Sequence, residues 1–243
     1  MKQCFLNCGQ YMGSTSLVII AAEIHIFAKM LTNEIRRKLE DINQGNVIEE
    51  YEDTCTTIRN FLCKRFATDT TVKKDFESKQ LIKKEQGQLL KHFALDNDFF
   101  ITSIPQYWVY LTRSGESQVF LHPDQKHVLK LNDGVYYVTW LEYFNSLLIH
   151  NLLFPDTAYQ FIGLLESQNV LYAVLKQPFI VSDETANLNA IREYLEFNGF
   201  KNLINQDYYE EELGLILENT HDENVIQKGE SLFFIDTVFY ISR

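Results

Sequence analysis

Leu217-Glu218-Asn219-Thr220-His221-Asp222-Glu223-Asn224-Val225-Ile226, then a turn around Gly229, then Leu232-Phe233-Phe234-Ile235-Asp236-Thr237: this stretch decides the fold. A polar loop ends in Asn-Val-Ile, the chain reverses, and an aromatic strand ends in a lone aspartate. The amide oxygen of Asn224 and the carboxylate of Asp236 are hard oxygen donors of the kind Mg2+ accepts, with water and substrate phosphates completing its shell. Asn219, Asp222 and Asn224 also read as ordinary turn formers. Asp236 does not, because it follows four apolar residues, where a turn former has no reason to stand. The segment reads as a metal-binding hairpin.

Working outward, Val128-Leu129-Lys130-Leu131 puts a lysine among aliphatics inside a strand-like run. Lysine is rarely buried unless paired, so Lys130 either lies on an exposed edge or is held by a carboxylate. Glu142 is the only acidic residue on the helix expected over Thr139–Phe154, which makes it the candidate partner. Upstream, Arg113-Ser114-Gly115-Glu116-Ser117 sets a glycine and two serines between strand-like runs. Such a hairpin lets backbone approach a phosphate closely, although any β-turn favours glycine. No Ser-His-Asp or Cys-His nucleophile has a defensible spacing. His221 reads as a loop-packing histidine, and His150 and Glu166 as ordinary helix and strand residues.

The rest of the chain predicts an α+β fold. Ile24, Phe27, Leu31, Ile35 and Leu39 share one helix face, interrupted by Asn43–Asn46. A second helix is expected over Val47–Phe66, then a break with a cap at Thr68–Thr71, then a third over Val72–Leu95. From Phe99 the texture turns to short aromatic and β-branched runs. Strands are expected at Trp108–Leu111, Ser117–Leu121, Val128–Leu131, Val135–Val138, Tyr159–Glu166 and Val170–Lys176. Gln177-Pro178-Phe179 reads as a connector, since proline cannot continue a central strand. Glu184–Asn198 reads as a helix stopped by Gly199, and the tail as a short hairpin.

The net charge of −11 falls on one part of the chain: residues 101–243 hold 8 basic and 19 acidic groups. That balance argues against nucleic acid as a ligand, while a polyphosphate neutralised by metal is compatible with it. Arg36-Arg37-Lys38 reads as a solvated helix face. Leu17–Ala22 is apolar but is interrupted by Glu23 and His25 well short of the ~18 residues a spanning helix needs. Cys4, Cys8, Cys55 and Cys63 lack zinc-finger spacing and read as free thiols. A cytoplasmic protein with no membrane contact is expected.

Taken in order, the hairpin glycine, strand lysine, helix glutamate, D-x-x-x-x-N-type loop and strand-end aspartate follow the protein-kinase-like arrangement. The runs SGESQVFL, SLLIHNLLFPDTAY, LYAVLKQPFI, THDENVI and LFFIDTVFY resemble the serine/threonine/tyrosine kinase domain of polyvalent proteins of bacterial mobile elements and phages, over about residues 85–240. The resemblance implies a minimal kinase-like fold over 85–243, an N-lobe sheet plus helix and a catalytic-loop hairpin, with an added helical region over 1–84. It implies ATP and Mg2+ as cofactors. Lys130 would contact the α/β-phosphates and Glu142 would orient it. Ser114, Gly115 and Ser117 would cradle phosphate, Gln177 and Phe179 would offer hinge backbone to adenine, and Asn224 and Asp236 would hold the metal.

Two features depart from that pattern. Asn219 stands where the loop calls for an aspartate base, and Asp222 is a substitute out of position. An amide cannot accept the hydroxyl proton, a role worth ~10²–10⁴-fold. The sequence given also stops at Arg243, shortly after Asp236, so residues 15–95 are expected to pack where a kinase's later helices would lie. Two functions therefore stand side by side. One is an ATP-dependent phosphotransferase acting on a protein or small molecule; the other is a pseudokinase-type nucleotide- or partner-binding module. A third reading, a structural core with no nucleotide, requires Lys130, Glu142 and Asp236 all to be accidents.

Overall fold

The computed structural model describes residues 31–49, 53–66, 76–113, 115, 117–182 and 184–242. The readings that rest on Cys4, Cys8, Leu17–Ala22, Thr68–Thr71 and Ser114 lie outside those residues. Three helices precede the first strand: α1 (Asn33–Gln44), α2 (Thr54–Phe66) and α3 (Phe76–Asp96). Thr32 caps α1 by accepting from the Ile35 amide at 3.2 Å, and Gly45, at φ +75°, closes it in the left-handed conformation.

The second helix starts later than periodicity suggests. Val47–Glu49 is not helical, because the Asn60 side chain clasps Ile48, accepting from its amide at 3.0 Å and donating to its carbonyl at 2.7 Å. Asp53 caps α2 instead, accepting from the Thr56 amide at 3.0 Å. Beside that clasp Arg59 is fully buried and donates to Asn145 Oδ1 at 3.0 Å and to the carbonyl of Asn46.

A six-stranded sheet follows. Its strands are β1 (Phe100–Ile101), β2 (Val109–Arg113), β3 (Ser117–Leu121), β4 (His127–Asn132), β5 (Gln160–Ser167) and β6 (Val170–Pro178), in the order β1-β5-β6-β4-β3-β2. All neighbours are antiparallel except β1 with β5. Gly163 is required at the β5 bulge, since a Cβ there would stand 2.2 Å from the Phe99 carbonyl. Val135–Val138 is a turn rather than a strand, with the Tyr137 amide bonded to Gly134 O at 3.0 Å. The connector expected at Gln177-Pro178-Phe179 is also corrected: Gln177 and Pro178 belong to β6, and Pro178 is tolerated because it pairs with His127 beyond the point where β5 stops at Gln160, so no ladder bond is lost to its missing N–H.

Helix α4 (Trp140–Leu153) crosses behind this sheet and joins two cores. Its first half contributes Trp140, Tyr143, Phe144 and Leu147 to a cluster with α2, α3, β5 and β6. Its second half contributes Leu148, Ile149, Leu152 and Leu153 to another with α1 and the remaining elements. Burying each such side chain stabilises the fold by roughly 1.5–3 kcal/mol, which is why an apolar run this dense sits inside.

Those remaining elements are β7 (Glu184–Thr185), α5 (Leu188–Phe197), β8 (Lys201–Ile204), β9 (Asp207–Glu210), β10 (Leu215–Glu218), β11 (Val225–Lys228), β12 (Ser231–Phe234) and β13 (Val238–Ile241). They form the sheets β13-β10-β9-β8 and β12-β11-β7. Helix α5 is shorter than expected because Glu184-Thr185 is drawn into a strand against β11. The chain is a mixed α and β protein with its helices and sheets segregated. Of the three leading helices, α1 packs in the cluster built on the second half of α4, while α2 and α3 pack on the first half of α4 and the six-stranded sheet. Among the described residues no helix is long and apolar enough to cross a membrane.

Candidate functional site

Hairpin β11–β12 and the 219–224 loop are stitched together residue by residue. The Ile235 amide donates to Asn224 O at 2.9 Å, fixing the strand end against the loop. Asn219, at φ +69°, occupies the left-handed region that asparagine tolerates. Its Nδ2 donates to the backbone carbonyl of Asp236 at 3.0 Å. Asn224 donates through Nδ2 to Asn219 O at 3.0 Å and lies 3.1 Å from His221 Nε2. Its nitrogen is thus committed to protein, and its Oδ1 is left as an acceptor. His221 Nε2 also sits 2.9 Å from Asn219 Oδ1, so the imidazole locks the loop in either tautomer.

Lys130 comes from β4, 5% exposed, and reaches the same strand end. Its Nζ donates to Ile235 O at 2.9 Å and lies 3.4 Å from Asp236 Oδ1. The ammonium also stands 5.5 Å from the Tyr159 ring centroid. Ile235 O further accepts from Tyr159 Oη at 2.7 Å and Gln177 Nε2 at 3.1 Å.

Beside this cluster opens a cleft of ≈ 580 Å³. Asn219, His221, Asn224 and Asp236 line one side, and Gly115 and Tyr136 another. A Cβ on Gly115 would meet Tyr136 Oη at 2.1 Å, so a side chain at 115 would push that ring aside. Asp207, Glu218 and Glu223 also line the cleft, and no lysine or arginine does among the described residues. Glu218 is held above the usual carboxylate range, first by burial and then by Asp207, which precedes the Tyr208 that pairs with Leu217 in the β9–β10 register.

Several residues singled out from sequence stand elsewhere. Glu142 makes no ion pair with Lys130. It caps its own helix, accepting from the Val138 amide at 3.0 Å while Thr139 Oγ1 accepts from Glu142 N at 3.1 Å. Asp222 is exposed and lies outside the cleft wall. Ser117 is buried, its hydroxyl accepting from Asn132 Nδ2 at 3.0 Å. The Phe179 amide is already donated to Lys126 O at 2.8 Å, and the buried Gln177 side chain donates to Thr157 O at 2.7 Å. The residue that α4 does bring to Lys130 is His150. Burial first, then the Lys130 charge, push its pKa down to about 3 against the pull of the Thr157 carbonyl. It is a neutral imidazole, 2.7 Å from Thr237 Oγ1 and 3.1 Å from Thr157 O. A histidine inside the run Leu147-Leu148-Ile149-His150 was the available signal. Tyr159 and the carboxylates at 207, 218 and 223 carried none.

The donor set fits a magnesium ion shared with phosphate. Asn224 Oδ1 accepts no hydrogen bond from the described residues, and Asp236 meets Lys130 through Oδ1. Among the described residues no three His, Cys, Asp or Glu side chains cluster as a protein-only cage. Mg2+ commonly binds through one or two protein oxygens plus substrate phosphates.

Compared with known proteins, residues 83–243 match the model of a family described as a serine/threonine/tyrosine kinase found in polyvalent proteins. No curated protein and no solved structure matches the chain.

Proposed function

The chain belongs to the serine/threonine/tyrosine kinase family found in polyvalent proteins, and from that premise we propose that it binds ATP with Mg2+ at the cleft beside the 219–224 loop. The observation that carries this reading is the pairing of buried Lys130 with Asp236 at 3.4 Å, with Asn224 on the same cleft as Asp236 and its Oδ1 unused by the described residues. In this reading Asn224 and Asp236 hold the metal, whose charge offsets that of the phosphates, and Lys130, 3.4 Å from Asp236 but not itself on the cleft wall, contacts the α/β-phosphates where they reach Asp236. A cleft lined by carboxylates and by no lysine or arginine repels a bare polyphosphate, so the cation is needed for entry as well as for chemistry.

The primary reading is a kinase-like protein able to transfer phosphate to a protein or small molecule. The second is a binding module without transfer, and Asn219 favours it, since its amide is committed to the Asp236 carbonyl and accepts no proton. Family membership also supports a bacterial mobile-element setting, and the buried thiol of Cys55 suits a reducing cytoplasm. Residues 85–243 are proposed as the kinase-like unit, with the preceding helices as an added region.

Thermal melting of the full chain tests the binding claim. ATP at 100 Kd with Mg2+ should stabilise by roughly 2.7 kcal/mol, with little shift when EDTA replaces the metal and none for Lys130→Met. The absence of any shift at millimolar ATP·Mg would overturn both readings. Asn219→Asp then separates them: transfer gained without tighter ATP binding marks a site complete except for its base.

A further inference from the structure

We infer that Lys130 is set in place by the Ile235 carbonyl, with Gln177 and Tyr159 as its positioning residues, and not by a carboxylate from helix α4. This rests on the nucleotide-binding reading for its consequence but not for its geometry. Three donors converge on Ile235 O: Lys130 Nζ at 2.9 Å, Tyr159 Oη at 2.7 Å and Gln177 Nε2 at 3.1 Å. A carbonyl offers two lone pairs, so the three donors crowd one oxygen and hold it in a single orientation. Each helper is tied down in turn. Gln177 is 1% exposed and gives its other N–H to Thr157 O at 2.7 Å. The Tyr159 backbone is clasped by Asn151, which accepts from its amide at 2.7 Å and donates to its carbonyl at 2.8 Å. The Tyr159 ring meanwhile faces the ammonium itself.

Kinases commonly orient this lysine with a glutamate from the helix that follows it in sequence. Here the only candidate, Glu142, is used at the far end of α4 on the Val138 amide. The hub carbonyl belongs to the residue before Asp236, so lysine and metal carboxylate ride on the same piece of backbone. Swinging α4 is therefore not needed to assemble the pair. It is also resisted, because α4 places eight buried residues in two cores.

The test uses the full chain and two readouts. In lysine-ammonium 1H–15N spectra, with Lys130 identified by the signal lost in Lys130→Arg, wild type should show a slowly exchanging Lys130 signal. Tyr159→Phe keeps the ring and removes only the hydroxyl, and Gln177→Leu removes the amide. Each should speed ammonium exchange about tenfold, the scale of one buried hydrogen bond, and weaken MgATP binding in calorimetric titration by a similar factor. Glu142→Gln should leave both unchanged. Should Gln177→Leu not fold, Tyr159→Phe carries the test. Unchanged exchange in Tyr159→Phe, no protected signal in wild type, or faster exchange in Glu142→Gln would overturn the inference. If wild type fails to bind MgATP, the functional reading falls, and ammonium exchange still decides the hub.

Discussion

At its N-terminal end helix α4 is held by caps: Thr139 and Glu142 serve its own first turn, and α3 adds Gln86, whose Oε1 accepts from the Leu141 amide at 3.0 Å, and Lys83, which donates to Gly134 O at 2.6 Å and Tyr137 O at 2.9 Å. Twelve ångströms of helix later (eight residues at 1.5 Å each), the other end sends His150 in among Thr157, Thr237 and the neighbourhood of Lys130. The charged residue is structural and the uncharged one reaches the site. A carboxylate near a helix start has a cheap local use, satisfying orphan amides, and that use wins over a reach toward a distant lysine.

The largest way to sharpen this contrast lies between the two ends. Arg59 joins α2 to the middle of α4 through Asn145, while also holding the 46–48 clasp. Arg59→Leu takes the donor from half-buried Asn145 and from the buried carbonyl of Ile42, and should cost about 3 kcal/mol in denaturant melts. A loss below 1 kcal/mol would mean that α4 is fixed by its apolar faces alone.

At the site end, His150→Leu should cost about 2 kcal/mol near pH 7.5, since Thr157 and Thr237 lose partners. Its pH signature is more telling. The folded pKa of about 3 lies below the ordinary imidazole value of 6.5, so the unfolded chain takes up a proton that the folded one refuses. Stability from this group is complete above pH 6.5 and declines as pH falls toward 3, by up to about 1.4 kcal/mol per pH unit. His150→Leu should flatten that acid limb. An unchanged slope would show that the imidazole is not buried neutral.

The capped end should give the smallest effect. Thr139→Ala is expected to cost about 1 kcal/mol, with MgATP affinity unchanged by calorimetry. A cap variant that lost nucleotide affinity while staying folded would erase the distinction between the two ends.

These contrasts also show what the sequence could carry. Apolar spacing and alternation located α4, β3, β4 and β6, because burial acts on every residue of an element. The order of lysine, loop asparagine and strand-end aspartate singled out residues that the fold does bring together, since Lys130 and Asp236 are charged residues at apolar runs with few uses there. Partner choice was not legible. Whether Glu142 turns to a lysine or to its own helix end, and whether Gln177 offers backbone or side chain, depends on a few ångströms of tertiary placement that no periodicity encodes. The same holds for Glu218 and Asp207, which become neighbours only through the β9–β10 register. The strand expected at Val135–Val138 failed for a related reason: Lys83 and Asn132 draw that segment into a turn by hydrogen bonds from other elements.

Helix α4 has a thermodynamic consequence of its own. A rod shared by two hydrophobic clusters makes each the other's boundary, so neither can melt and leave the second with a finished surface. Heat should therefore take both clusters apart in one cooperative transition. The amides of Phe144 through Leu148, where the clusters meet on the rod, should be among the last in the chain to exchange with solvent.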